Sequence, residues 1–178
     1  PTSVDLSPQV LDSRQAHRQP ALGEEFLPGR EFTVALLGNG DTVEVRPVVE
    51  ILFHEFPPGS RGIYSYEAKW IWDNRIEPIE ILQCPAAIGP ELQLEIAGIC
   101  RRAYQLLRCQ DWARIDVRLN AGGRPHVLEV NPLPGILPDP ADHSCFPLAA
   151  RFYGLTYSQL INRVLDEALL RHGFIVRT

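Results

Sequence analysis

Four residues close together in sequence are of types that do chemistry as a group: Arg114, Asp116, Glu129 and Asn131. They lie in DWARIDVRLNAGGRPHVLEVNPLPG, where Val, Ile and Leu alternate with polar residues on both sides of Ala121-Gly122-Gly123-Arg124. That alternation predicts two strands joined by a Gly-Gly turn. Pairing Asn120 with Pro125 sets Asp116 opposite Glu129 and Arg114 opposite Asn131 in an antiparallel register. Strand side chains alternate faces, so these four share one face while Ile115, Val117, Leu128 and Val130 share the other. Two carboxylates and an amide oxygen suit a hard divalent cation such as Mg²⁺, which leaves other positions to water and phosphate oxygens. Arg114 beside them offers a fork of donors for an anion. The plainer alternative is an exposed sheet face on which Arg114 simply offsets Asp116 and Glu129.

The elements that must hold this hairpin can be read in order. Residues 1–20 are aperiodic, with Val10 and Leu11 the clear apolar pair, and read as a loop or arm. In GREFTVALLGNG, Phe32, Val34 and Leu36 alternate with Thr33, Ala35 and Leu37, a strand turned back at Gly38-Asn39-Gly40-Asp41. Thr42 to Leu52 alternates as a second strand, with Pro47 marking an edge or bulge. Residues 63–84 carry Tyr64, Tyr66, Trp70 and Trp72 around Lys69 without a clean period; a lid or binding loop and an aromatic core meander both fit. Gly89-Pro90 opens a helix with Leu92, Ile96, Ile99, Ala103 and Leu106 or Leu107 on one face. After the hairpin, the prolines of Pro132 to Asp142 demand a loop, and short and long helices follow at Phe146–Phe152 and Tyr157–Arg171. Strands followed by helices predict an α+β fold, an antiparallel sheet with its helices on one side.

Composition bounds the function. A chain of 178 residues, 45% apolar and 22% charged, can bury a real core. A net charge of −5 argues against nucleic-acid or anionic-membrane partners. No apolar run is long enough to span a bilayer and no signal-peptide pattern opens the chain. Cys84, Cys100, Cys109 and Cys145 show no metal-type spacing, so reduced structural thiols in a cytoplasmic protein are expected. The chain starts at Pro1 without a methionine and reads as part of something longer. His54, His126 and His172 show no ligand spacing and read as surface residues, and Cys145 as a small apolar one.

At Arg114-Ile-Asp116…Glu129-Val-Asn131-Pro-Leu-Pro134-Gly135 the chain resembles the carboxy-terminal half of an ATP-grasp ligase, most closely the D-alanine–D-alanine ligase family. The blocks GEEFLPGREFTVALLG (Gly23–Gly38), YSYEAKW (Tyr64–Trp70), CPA (Cys84–Ala86) and a final HS…FP…A…G…Y…L run stand in the family's order. The resemblance covers residues 21–172, and implies an ATP-grasp catalytic domain over 21–178 preceded by an arm at 1–20.

By that resemblance, Asp116, Glu129 and Asn131 match ligands of two Mg²⁺ or Mn²⁺ ions bridging ATP phosphates. Arg114 matches an arginine that stabilises the charged intermediate. Glu24 and Glu31 match residues holding the adenine amino group and the ribose hydroxyls, with the backbone at Phe26 and Leu27 on the adenine edge. Lys69 matches a phosphate-binding lysine. The Gly135 backbone matches an oxyanion-binding turn, and Ser144 a serine holding the second substrate's carboxylate. The activity implied is ATP-dependent carboxylate–amine ligation of amino acids in peptidoglycan biosynthesis, through an acyl phosphate, in a cytoplasmic and usually dimeric enzyme. Two features depart from the family's pattern. Trp70 stands where a tyrosine is usual, and the loop ILPDPADHS is longer than usual. A related ligase with another amino-acid or hydroxy-acid acceptor therefore stays open, as does a non-catalytic nucleotide-binding module.

Overall fold

Residues Glu31–Leu37 form β1, and all of them are buried, the mark of a strand covered on both faces. The computed structural model describes residues 7–56, 62–63 and 81–175. On one edge β1 pairs antiparallel with β5 (Trp112–Leu119) along its whole length, from Glu31 opposite Arg118 to Leu37 opposite Trp112. On its other edge it pairs with β2 (Glu44–Val45) and β3 (Val49–Ile51). The single strand expected over Thr42–Leu52 is thus two. The break falls at Arg46-Pro47-Val48, where proline has no N–H to give a ladder. β4 (Leu82–Gln83) and β6 (Pro125–Asn131) complete an antiparallel sheet of order β4-β3-β1-β5-β6, with β2 beside β1.

The helices cover both faces, not the one expected. Phe32, Val34 and Leu36 project with Ala113, Ile115 and Val117 onto α2 (Pro90–Leu106), meeting Ile96, Cys100 and Tyr104. Ala35 and Leu37 project the other way with Val49, under Phe146, Ala149 and Ala150 of α3 (Cys145–Phe152) and Leu160 of α4 (Tyr157–Arg171). A central strand that is apolar in both directions needs two covers. The second cover ends at Ala35. Thr33 and Glu31, next along the same face, line an open cleft.

α2 starts at Pro90 as read; Ile96 is fully buried with Cys100 and Tyr104, and Leu92, Ile99 and Ala103 pack beside them partly buried, as expected. Leu106 and Leu107 are exposed, because the helix ends there and Arg108 turns the chain away with a left-handed φ of 53°. α4 spans the residues expected, its start fixed by a capping box between Thr156 and Gln159. The first helix, Ser7–His17, lies where a loop was expected, and none of its residues is buried.

A polar clamp ties α4 to the sheet. Arg171 places a fork on Asp111, Nε to Oδ1 at 3.0 Å and Nη2 to Oδ2 at 2.8 Å. Asn39 Nδ2 donates to Asp111 Oδ1 at 3.1 Å, and the Asp111 amide donates back to Asn39 Oδ1 at 3.0 Å. The Arg171 bonds hold the Asp111 carboxyl below its usual range, against burial, with Asn39 assisting.

Candidate active site

The β5–β6 hairpin delivers the carboxylates by a route the sequence did not disclose. At its turn Leu119 pairs with Pro125 and Val117 with Val127, one residue out of step with the expected register. An irregularity between Asp116 and Val117 then absorbs Leu128 as an extra residue on β6, a β-bulge. Beyond it Asp116 faces Glu129 and Arg114 faces Asn131, as the spacing predicts. Leu128 does not join the buried face expected of it; it is exposed and lines the cleft beside Val127.

Because β1 pairs with β5, the face is three strands wide. Thr33 stands beside Asp116, and Glu31 beside Arg118. Arg114 grips Asp116 with two bonds, Nε to Oδ1 at 3.0 Å and Nη2 to Oδ2 at 2.9 Å, and lies 3.6 Å from Glu129 Oε1. Thr33 Oγ1 donates to Asp116 Oδ1 at 2.7 Å. Asn131 Nδ2 donates to Glu129 Oε1 at 2.9 Å and reaches Asp116 Oδ2 at 3.4 Å. Burial works to lower the Arg114 pKa, but its hydrogen bonds to Asp116 and the nearby Asp116, Cys145 and Glu129 outweigh it and leave the pKa raised. Asp116 is mostly covered while the Glu129 side chain is 57% exposed, so one carboxylate is fixed and the other faces solvent.

As a donor set, two carboxylates and an amide fit a hard cation that keeps several water or phosphate oxygens. Among the described residues no three His, Cys, Asp or Glu side chains gather as a metal cage, so coordination would be completed by solvent and ligand. Asn131 would turn its oxygen inward, a rotation of the amide about its own axis.

A cleft of about 770 Å³ runs from this set along the sheet. Of the residues singled out from sequence, it gathers Glu24, Phe26, Leu27, Glu31, Arg114, Asp116 and Glu129 in its lining. Gly29, two residues after Leu27, docks the chain on β5: its amide donates to Leu119 O at 2.9 Å, and a Cβ there would meet that oxygen at 2.6 Å. Gly135 and Ser144 are joined to each other, Ser144 Oγ donating to Gly135 O at 3.1 Å and accepting from the Leu137 amide at 3.2 Å. They close the loop at the foot of α3 and lie outside the cleft lining. Lys69, with Tyr64, Tyr66, Trp70 and Trp72, falls outside the described residues.

Among the other lining residues are four polar or reactive side chains that the sequence did not assign to the site. Thr33 needed the β1–β5 pairing to be found. Arg118 shares strand parity with Arg114 and Asp116, a signal present in the sequence. His126 is exposed as read, yet lines the cleft opposite Arg118. Cys145 is half-buried in the lining and is not simply core. Cys100 and Cys84 behave as the inert thiols expected: burial pushes them up to about 12 and about 11, respectively.

Antiparallel sheet, helices on both faces and a carboxylate-bearing hairpin at an open cleft define the ATP-grasp type of fold. A D-alanine–D-alanine ligase of Bacillus anthracis solved with ATP superposes with a TM-score of 0.61 at 20% identity, over 84% of this chain and 41% of its own. The VanG D-Ala:D-Ser ligase of Enterococcus faecalis gives 0.57 at 24% identity, over 81% and 37%. Residues 3–166 match the family described as D-ala D-ala ligase C-terminus, and the chain belongs to that family. It is 40% identical over 174 residues to the uncharacterized protein y4sG of Sinorhizobium fredii, covering 97% of this chain and 47% of the relative. It is 37% identical over 163 residues to a D-alanine–D-alanine ligase of Bordetella petrii, covering 88% and 45%. The chain thus spans about half the length of the curated relatives it matches. No helix among the described residues is long and apolar enough to cross a membrane.

Proposed function

We propose that this chain is the nucleotide-binding portion of an ATP-dependent ligase that joins the carboxylate of one amino acid to the amine of another. The observation that carries this reading is the shared face of Arg114, Asp116, Glu129 and Asn131 at the mouth of a cleft reaching Glu24 and Glu31. Family membership supports it, as does the ATP of a solved protein with the same fold.

The chain's own residues divide the work. Glu24, the Phe26–Leu27 backbone and Glu31 would hold the nucleoside end of ATP, and Lys69 a phosphate. Asp116, Glu129 and Asn131 would hold Mg²⁺ or Mn²⁺, which neutralises phosphate charge when bound. Arg114 is held by Asp116 beside them, and its guanidinium would be ready to meet the charge that develops. In the reaction, a substrate carboxylate oxygen attacks the γ-phosphorus, ADP leaves, and an amine displaces phosphate from the acyl phosphate. Gly135 would donate its amide to the developing oxyanion. Ser144, at the start of α3, would hold the second substrate's carboxylate. A homodimer in the cytoplasm, with neither nucleic acid nor membrane as partner, completes the reading.

ADP release by the full-length protein that carries this portion, screened over D- and L-amino acids with Mg²⁺ present, tests it. Substrate-stimulated ADP formation that needs the divalent ion is expected. ATP binding with no stimulation by any amino acid or hydroxy acid would point instead to a nucleotide-binding module. A hydroxy acid that stimulates in place of the second amino acid would mark an ester-forming relative. The long 136–143 loop between Gly135 and Ser144 is the specific reason to include that arm.

A further inference from the structure

Arg118 lines the cleft held by several contacts at once, and the proposed reaction gives it no task. It is 6% exposed. Its Nη1 donates to Glu31 Oε2 at 2.7 Å, and its Nη2 to the Gly62 carbonyl at 2.6 Å. The guanidinium carbon sits 5.2 Å from the Phe26 ring centre and 5.0 Å from that of Phe53. Its Nε, fully buried, has no hydrogen-bond partner among the described residues.

A buried guanidinium carries a desolvation cost that an apolar residue in the same strand position would avoid. Packing alone therefore gives no reason for an arginine here. What the arginine supplies is geometry. Its plane stacks against two aromatic rings while its fork reaches two acceptors, a combination an ammonium cannot reproduce. Four separate stretches, at residues 26, 31, 53 and 62, are registered on one side chain. Two of them, Phe26 and Glu31, belong to the expected nucleoside end of the cleft. A carboxylate offers about four acceptor positions, so a bond from Arg118 orients Glu31 without by itself exhausting it.

We infer that Arg118 is a positioning residue for the ribose: it sets the Glu31 carboxylate and the Phe26 wall in the geometry that receives the sugar hydroxyls. This rests on the reading of Glu31 as the ribose acceptor. Arg118 itself touches no reacting atom, so its loss falls on KM for ATP more than on kcat.

The test compares ATP with 2′,3′-dideoxy-ATP, which lacks the hydroxyls, in the full-length protein and in its Arg118→Met and Arg118→Lys variants. The unaltered protein is expected to prefer ATP about tenfold or more in KM, the low end of what a hydrogen bond to a charged group provides. Arg118→Met collapses that preference to within about twofold by weakening ATP and leaving the dideoxy analogue little changed. Arg118→Lys, which keeps the charge but loses fork and stack, falls between and carries the test if the Met variant fails to fold. An unaltered protein with no preference overturns the Glu31 reading and this inference together. Preference present in the unaltered protein and fully kept in Arg118→Lys, or equal losses on both nucleotides in either variant, overturns the role of Arg118 alone.

Discussion

Thr33 donates its hydroxyl to Asp116 Oδ1 across the β1–β5 pair at 2.7 Å, while Arg114 holds the same carboxylate from two residues away. Asp116 is therefore oriented from a neighbouring strand and from its own before any ligand arrives. Thr33→Val keeps the shape and removes the donor. Hydrogen bonds to charged groups contribute roughly 1.5–3 kcal/mol, and Asp116 keeps Arg114, so a loss of about 1–2 kcal/mol in denaturant unfolding is expected. Mg²⁺-dependent nucleotide affinity, read by calorimetry, should fall with it.

Glu129 differs from Asp116 in being 57% exposed at its side chain. Glu129→Gln removes a charge that water already solvates, so unfolding free energy should stay within about 0.5 kcal/mol. Turnover should drop by about 100-fold or more, as when a group aimed at developing charge is lost. A variant that instead melts well below the unaltered protein would show that the face is structural.

Arg114 and a bound cation would compete for Asp116. In Arg114→Met the two facing carboxylates lose their local positive charge, and a divalent ion becomes the remaining way to offset their repulsion. The rise in Tm on adding Mg²⁺ should therefore be larger in Arg114→Met than in the unaltered protein, even though turnover falls. A smaller rise would mean that the carboxylates do not hold the ion.

The Asp111–Arg171 clamp makes a pH-dependent prediction. The folded-state pKa of Asp111 is lowered, chiefly by its hydrogen bonds from Arg171. The stabilisation is thus present above the unfolded carboxyl value of about 3.9 and is lost as pH falls through the lower folded value. Asp111→Asn should melt roughly 2–4 °C lower near neutral pH, with the gap unchanged down to about pH 5 and closing below about pH 4. Thermal scans across that range read it directly.

Local periodicity made β1, α2, α4 and the hairpin legible, because each buries a face whose repeat is written in a dozen residues or fewer. It placed Asp116 against Glu129, although through a register that holds only beyond the bulge. An extra residue on one strand leaves no mark on alternation until the partner strand is known, which is why Leu128 was assigned to the wrong face. Thr33 was invisible for a different reason: it lies 83 residues from Asp116 in sequence, and no local pattern reports which strands become neighbours. The second helical cover was hidden too, since the second set of β1, Glu31, Thr33, Ala35 and Leu37, mixes polar and apolar residues and does not reveal that it is buried as well.

The bulge at Leu128 has a consequence for how the molecule survives at high concentration. β6 ends the sheet among the described residues, and an edge strand is a template on which another chain can add. A strand that is locally kinked, bracketed by Pro125 and Pro132, and charged at Glu129 is a poor template for such addition. Among the described residues, the irregularity that brings the carboxylates face to face therefore also makes the β6 margin a poor template for strand addition.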